Sequence, residues 1–168
     1  MRKPLLIGNW KSNGTQSGSQ ALAQALKSAF VAPLGVDVVV CPPLVHLPIV
    51  RETPDGSPIA MGTQTVSPFV EGAYTGTVTA SMLRDVGCHF VLVGHSERRT
   101  LMGETTSHVI DMAMHCVDAG LTPVVCVGET LQQREAGQIE VIIMNQLQEL
   151  LAKAFDSGML SKLVIAYE

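Results

Sequence analysis

A chain of 168 residues, 46% hydrophobic and 15% charged, carries enough apolar material for one packed domain and excludes a disordered, solvated polymer. A formal net charge of -4 excludes a binder of nucleic-acid backbones, which needs a basic surface, but leaves room for a small anion held by a few local cations. No apolar run reaches membrane-spanning length or makes a secretory leader, which points to the cytoplasm.

In chain order, "PLLIGNW" is the first short apolar run and reads as a strand. "SQALAQALKSAF" follows as a helix, with Leu22, Ala25, Leu26, Ala29 and Phe30 sharing one face. "VDVVVCPP" is a second strand, and the Pro-rich connection from Leu44 to Thr53 holds a weak helix. "IAMGTQT" is a third strand. After it come a long polar surface loop, "QTVSPFVEGAYTGTVTA", and the short helix "TASMLRDVG". "HFVLVGH" is the fourth strand, and "SERR" behind it is a helix start, with Ser96 as N-cap and Glu97 complementing the helix dipole. "SHVIDMAMHCVDAG" places Ile110, Ala113, Met114 and Val117 on one helical face and ends with Gly120 as a C-cap. "TPVVCVGE", the amphipathic "EVIIMNQLQELLAKAF" and "KLVIAYE" complete the series as strand, helix and strand.

The six strand runs are apolar nearly throughout instead of alternating, as strands buried on both faces are. Strands alternating with helices specify an α/β protein with a parallel sheet, and no linker or charge block divides residues 1–168, so one domain is expected. Periodicity leaves an open doubly wound sheet and a barrel equally possible. Neither GxGxxG nor a Walker sequence is present to support a dinucleotide or P-loop reading. The cysteines, Cys41, Cys88, Cys116 and Cys126, form no CxxC pair and are expected as buried free thiols.

In parallel α/β folds functional groups gather where strands end. The first strand is followed by Asn9 and Lys11, the fourth by His95, Ser96 and Glu97, the fifth by Cys126 and Glu129, and the sixth ends on Glu168. Taken singly, each has a plain structural explanation, and Cys126 and Glu129 are expected to be structural. His46, His89, His108 and His115 share no ligand-like spacing, so no metal site is expected. An amide, a lysine, a histidine and a glutamate converging on one rim is a different matter, because together they are the parts of proton-transfer chemistry.

The segments "GNWKSNG", "EGAYTGTVTASMLRDVG", "VLVGHSERR", "LTPVVCVGET" and "VIAYE", in this order, resemble the diagnostic segments of the triosephosphate isomerase family. The resemblance implies a (β/α)8 barrel that interconverts dihydroxyacetone phosphate and glyceraldehyde 3-phosphate in glycolysis and gluconeogenesis, with no metal or organic cofactor. It implies that Glu168 is the catalytic base, that His95 is the electrophile that polarises the carbonyl, and that Lys11 is the cation that binds substrate. Asn9 stands beside Lys11, Ser96 supports the site, and Glu97 partners Lys11. That enzyme is a known case of a histidine kept neutral at a helix N-terminus, and "HSERR" sets His95 immediately before one. The loop around Thr75 matches one that reaches into a neighbouring subunit, which implies a homodimer. Ser12 stands where the family commonly has a larger apolar residue.

A barrel of this kind takes about 250 residues, so the resemblance implies an incomplete barrel of six strands that ends at the base. The lid and the phosphate-holding loops of the family lie beyond "AYE". The expectation is therefore an isomerase impaired or inactive as this chain, with open apolar edges. The alternative is a non-catalytic fragment that needs complementation or oligomerisation. Another phosphosugar barrel does not explain "GHSERR" together with "AYE".

Overall fold

The computed structural model describes residues 3–30, 35–52 and 58–168. Six strands form one sheet in the order of the chain, β1 (Leu5–Asn9), β2 (Asp37–Cys41), β3 (Ile59–Thr63), β4 (Phe90–Val93), β5 (Thr122–Val127) and β6 (Val164–Tyr167), every neighbouring pair parallel. Between them run α1 (Gln16–Ala29), α2 (Leu47–Arg51), α3 (Ala80–Asp85), α4 (Ser96–Leu101), α5 (Thr106–Asp118), α6 (Leu131–Glu135) and α7 (Ile139–Asp156). This is the curled, open sheet of an incomplete (β/α)8 barrel, with β1 and β6 each paired on one side. Among the described residues no helix is long and apolar enough to cross a membrane.

The sheet has two cores because strand side chains alternate between its faces. One face packs on the helices through Val40, Val91, Val93, Val125 and Val127, against Leu83, Ile110, Ala113 and Leu150. The other face forms a smaller inner cluster of Val39, Cys41, Leu92 and Val124, with Leu5, Ile7, Phe90 and Val164 around it. Burial on both sides explains why the strands are apolar without interruption. At about 25 cal/mol per Å² of buried apolar surface, these two clusters supply most of the drive to fold.

The strong helix is α5. Thr105 caps its N-terminus by accepting from the His108 N–H at 3.2 Å. At its other end Gly120 takes φ +75, and its N–H and that of Leu121 reach the carbonyls of Val117 and Cys116. That paired closure satisfies carbonyls the helix leaves open, and Gly120 is the residue that reaches the left-handed region without strain. Leu44–His46 form a 3-10 turn that runs into α2, within the connection expected to hold a weak helix, whose last residue, Thr53, lies outside the described residues.

The face expected for α1 needs correction. Leu22 is 45% exposed and Ala25 is also exposed, while the buried residues are Ser19 and Ala23, with Leu26 packed beside them. Apolar spacing identified the helix but not which flank is covered: α1 packs against α2 on one side, and no described element covers Leu22.

All four cysteines are free and buried. Burial pushes the thiols of Cys41 and Cys116 up to about 12 and those of Cys88 and Cys126 up to about 11. Only about one thiol in a thousand or fewer is then a thiolate near pH 8. A disulfide-exchange reagent should label no cysteine in the folded chain and all four in denaturant, read by intact mass.

Candidate active site

The strand ends meet at one rim around a cleft of about 510 Å³. At the end of β1, the side-chain oxygen of Asn9 accepts from the backbone N–H of Lys11 at 3.0 Å. Lys11 has φ +53, alone in this region among the described non-glycine residues, at a cost of roughly 1–3 kcal/mol. Gln64, just beyond β3, donates its amide to the carbonyl of Lys11 at 2.8 Å and to that of Cys41 at 2.9 Å. The strained residue is thus held at its N–H by Asn9 and at its C=O by Gln64. Its ammonium meets Oε1 of Glu97 at 2.6 Å. That hydrogen bond, then the charge of Glu97, raises the Lys11 pKa, and the same bond lowers that of Glu97 against some burial.

At the end of β4 the chain turns at Gly94, φ +69, where a Cβ would stand 2.7 Å from Val109 and 2.8 Å from Arg99. His95 follows in extended conformation and is itself the N-cap of α4, its Nδ1 accepting from the Glu97 N–H at 3.3 Å. The cap expected at Ser96 therefore lies one residue earlier, because the imidazole supplies the acceptor that a serine hydroxyl would otherwise give. A lone pair on Nδ1 leaves the proton of a neutral ring on Nε2. The Glu97 carboxylate also lies 3.5 Å from Nδ1, but the backbone N–H is nearer and is the better-matched partner for that lone pair.

Nε2 of His95 lies 3.2 Å from Oε1 of Glu168, and the Ser96 N–H donates to Oε2 of Glu168 at 3.3 Å. One carboxylate is held by a ring and by the first amide of a helix. Ser96 contributes this backbone group. Arg99 ties the neighbouring strand ends together, donating to the carbonyls of Gly94 at 2.7 Å and Cys126 at 3.3 Å. Arg98 pairs with the buried Glu104.

At the end of β5, Cys126 is buried, its thiol raised chiefly by desolvation and next by the charge of Glu168. Glu129 has a side chain 1% exposed and accepts from the Tyr167 hydroxyl at 2.8 Å and from Arg134 at 2.9 Å. The tyrosine's hydrogen bond is the main reason the Glu129 carboxyl lies below its usual range and the Tyr167 phenol above its own. Among the described residues no group of three or more His, Cys, Asp or Glu side chains is arranged to hold a metal ion.

The structure therefore brings Asn9, Lys11, His95, Ser96, Glu97 and Glu168 to one place, while Thr75 is exposed on the loop after β3. Asn9, Lys11, His95 and Glu97 line the cleft itself. The triosephosphate isomerase profile matches residues 4–168. The chain belongs to the triosephosphate isomerase family. It is 45% identical to the triosephosphate isomerase of Nitrosococcus oceani over 168 residues, all of this chain and 67% of that one. Against those of Alkalilimnicola ehrlichii and Paracidovorax citrulli it is 46% identical over 169 residues, covering 100% and 99% of this chain and 66% of each relative. The chain thus spans about two thirds of the length of the triosephosphate isomerases it matches.

Sequence reasoning missed Gln64 and Arg99. Gln64 carried a positional signal, as the first residue past β3, but an amide has no distinctive spacing. Arg99 was read as part of a helix start.

The Lys11–Glu97 pair has a defined pH window. Glu97 is lowered, so its contribution to stability is present above the ordinary 4.5 and lost as pH falls through the depressed value. Lys11 is raised, so its contribution is full below 10.5 and lost as pH rises through the raised value. A double-mutant cycle of Lys11→Met and Glu97→Gln should give a constant coupling between those limits and none in strong acid, measured by urea unfolding.

Proposed function

We propose that this cleft interconverts dihydroxyacetone phosphate and glyceraldehyde 3-phosphate, with Glu168 as base, His95 as electrophile and Lys11 as the cation facing the substrate. The observation that carries the reading is the line of contacts from Glu168 to His95 Nε2 and, on the other side of the same ring, to Glu97 and Lys11. Glu168 takes a proton from the carbon beside the carbonyl, and the electron pair moves onto oxygen. The Nε2–H of His95 donates to that oxygen, and the Lys11 ammonium balances its charge. The Nε2 proton of His95 passes to that oxygen, and the ring takes the hydroxyl proton of the neighbouring oxygen in exchange. Carbonyl and hydroxyl have thus changed places when Glu168 returns its proton to the adjacent carbon. Asn9 and Gln64 keep Lys11 in its strained turn, Glu97 aims its ammonium, and Ser96 holds the resting base. In that resting arrangement Glu168 occupies the His95 donor, so an entering carbonyl oxygen displaces it. The chemistry needs no metal or organic cofactor, and belongs to glycolysis and gluconeogenesis in the cytoplasm.

A second reading, in which the six strands work only once further strands or another chain complete the sheet, draws support from the uncovered edges. Leu6 on β1 is 55% exposed and Ile165 on β6 is 42% exposed, although both point toward the helix layer. A homodimer is proposed on similar grounds. The loop bearing Thr75 displays Phe69 stacked on Tyr74 with Val70 at 63% exposure, and Val45, Leu101 and Met102 are exposed as well.

Isomerase turnover of the purified chain beside Glu168→Gln tests the function. The variant should be slower by about 10²–10⁴-fold, the usual worth of a positioned base. Equal turnover by the two would overturn the reading, and a folded chain that converts no triose phosphate would favour the second reading, in which further strands or another chain complete the site. Light scattering tests the assembly: the chain should run as a dimer, and Val45→Glu with Met102→Glu should give the monomer.

A further inference from the structure

We propose that Gln146, on α7, is a positioning residue for Glu168 and acts through Gly128. The inference rests on reading Glu168 as the base. Gln146 accepts from the Gly128 N–H at 2.9 Å and donates to the Gly128 carbonyl at 2.9 Å. One side chain thereby takes both backbone groups of one residue, as a neighbouring strand would. A carboxamide offers a donor and an acceptor together, and an apolar side chain of equal size could pack the helix without either.

Gly128 is where the backbone of Glu168 comes closest. A Cβ there would stand 2.6 Å from the Glu168 carbonyl oxygen and 3.5 Å from its Cβ. The glycine is required by this approach and not by its own dihedral. On one side of it, the Val127 carbonyl accepts from the Glu168 N–H at 2.9 Å. On the other side, Glu129 holds the Tyr167 hydroxyl. Residues 127–129 thus form a cradle for residues 167–168, and Gln146 fixes the middle of the cradle from behind. The contacts of Glu168 to His95 and Ser96, at 3.2 and 3.3 Å, sit at the long end of hydrogen bonding, so a shift of a few tenths of an ångström in the cradle breaks them.

The test is NMR on the full chain, comparing Gln146→Met, which keeps the bulk, and Gln146→Glu, which sets a carboxylate against the Gly128 carbonyl. The Glu168 amide should exchange roughly tenfold faster, as loss of about one net hydrogen bond implies. The His95 Nε2 resonance should move toward its position in Glu168→Gln, while exchange at Val93 in β4 stays as in the parent. Where turnover is measurable, kcat should fall by about 10–10²-fold with KM unchanged. Unmoved Glu168 and His95 signals would overturn the proposal, and so would equal acceleration at Val93 and Glu168, which makes Gln146 a general brace. Gly128→Ala attacks the cradle from the other side without touching Gln146, and an unmoved His95 resonance there also overturns it. If Glu168 is not the base, Glu168→Gln keeps its turnover, while the exchange results still report on the cradle.

Discussion

Parallel pairing of consecutive strands decides where every group in the cleft stands. β1 to β6 run the same way, so each strand delivers the residues that follow it to the same rim, whatever their separation in sequence. Lys11 and Glu97 are 86 residues apart and in contact, and Ser96 and Glu168 are 72 apart and in contact. The same pairing sets the faces. Val93, Val125 and Ile165 are in register across β4, β5 and β6 on the outer face, and Leu92, Val124 and Val164 on the inner one. Along the outer row exposure goes from 0% at Val93 and Val125 to 42% at Ile165. The chemistry of the row is constant, and what changes is whether a helix covers it.

The polar groups of the cleft are already partnered before any substrate arrives. The charge of Lys11 is met by Glu97, and that of Glu168 by the His95 ring and the Ser96 amide. Exposed pairs of this kind add little to stability because water competes for both members. Their value lies in geometry, since each holds a long side chain in one rotamer. The left-handed turn at Lys11 follows the same logic: its strain persists because Asn9 and Gln64 fix both of its backbone groups. Under the proposed chemistry, an incoming substrate exchanges one set of partners of Lys11, His95 and Glu168 for another.

The strands were legible in the sequence because burial on both faces removes polar residues from them, and the rim residues were legible because they follow strands. Helix faces were legible only where neighbours surround the helix. The reading of α5 holds, with Ile110, Ala113 and Val117 buried, and that of α1 fails at Leu22, where nothing covers the flank. The cap at α4 was misplaced because a serine next to a histidine is the commoner cap by type, and the ring nitrogen's role depends on a backbone geometry that composition does not carry. Gln64 and Gln146 were silent for a related reason. Each acts on a backbone 53 or 18 residues away, and an amide side chain at a solvent-facing rim looks the same in sequence as one that clamps.

β6 has a ladder on one side only, and the outward side chains of Ile165 and Tyr167 are 42% and 54% exposed. β6 carries the group whose position the proposed chemistry tolerates least. The loop after β5 holds that end of β6. It adds one further ladder bond from Val127, a close backbone approach at Gly128 and a buried carboxylate at Glu129 that takes the Tyr167 hydroxyl. These contacts lie within three consecutive residues, so holding the middle one holds all of them. That is the physical reason to look for the control of Glu168 on α7, through Gly128, instead of on the strand that bears it.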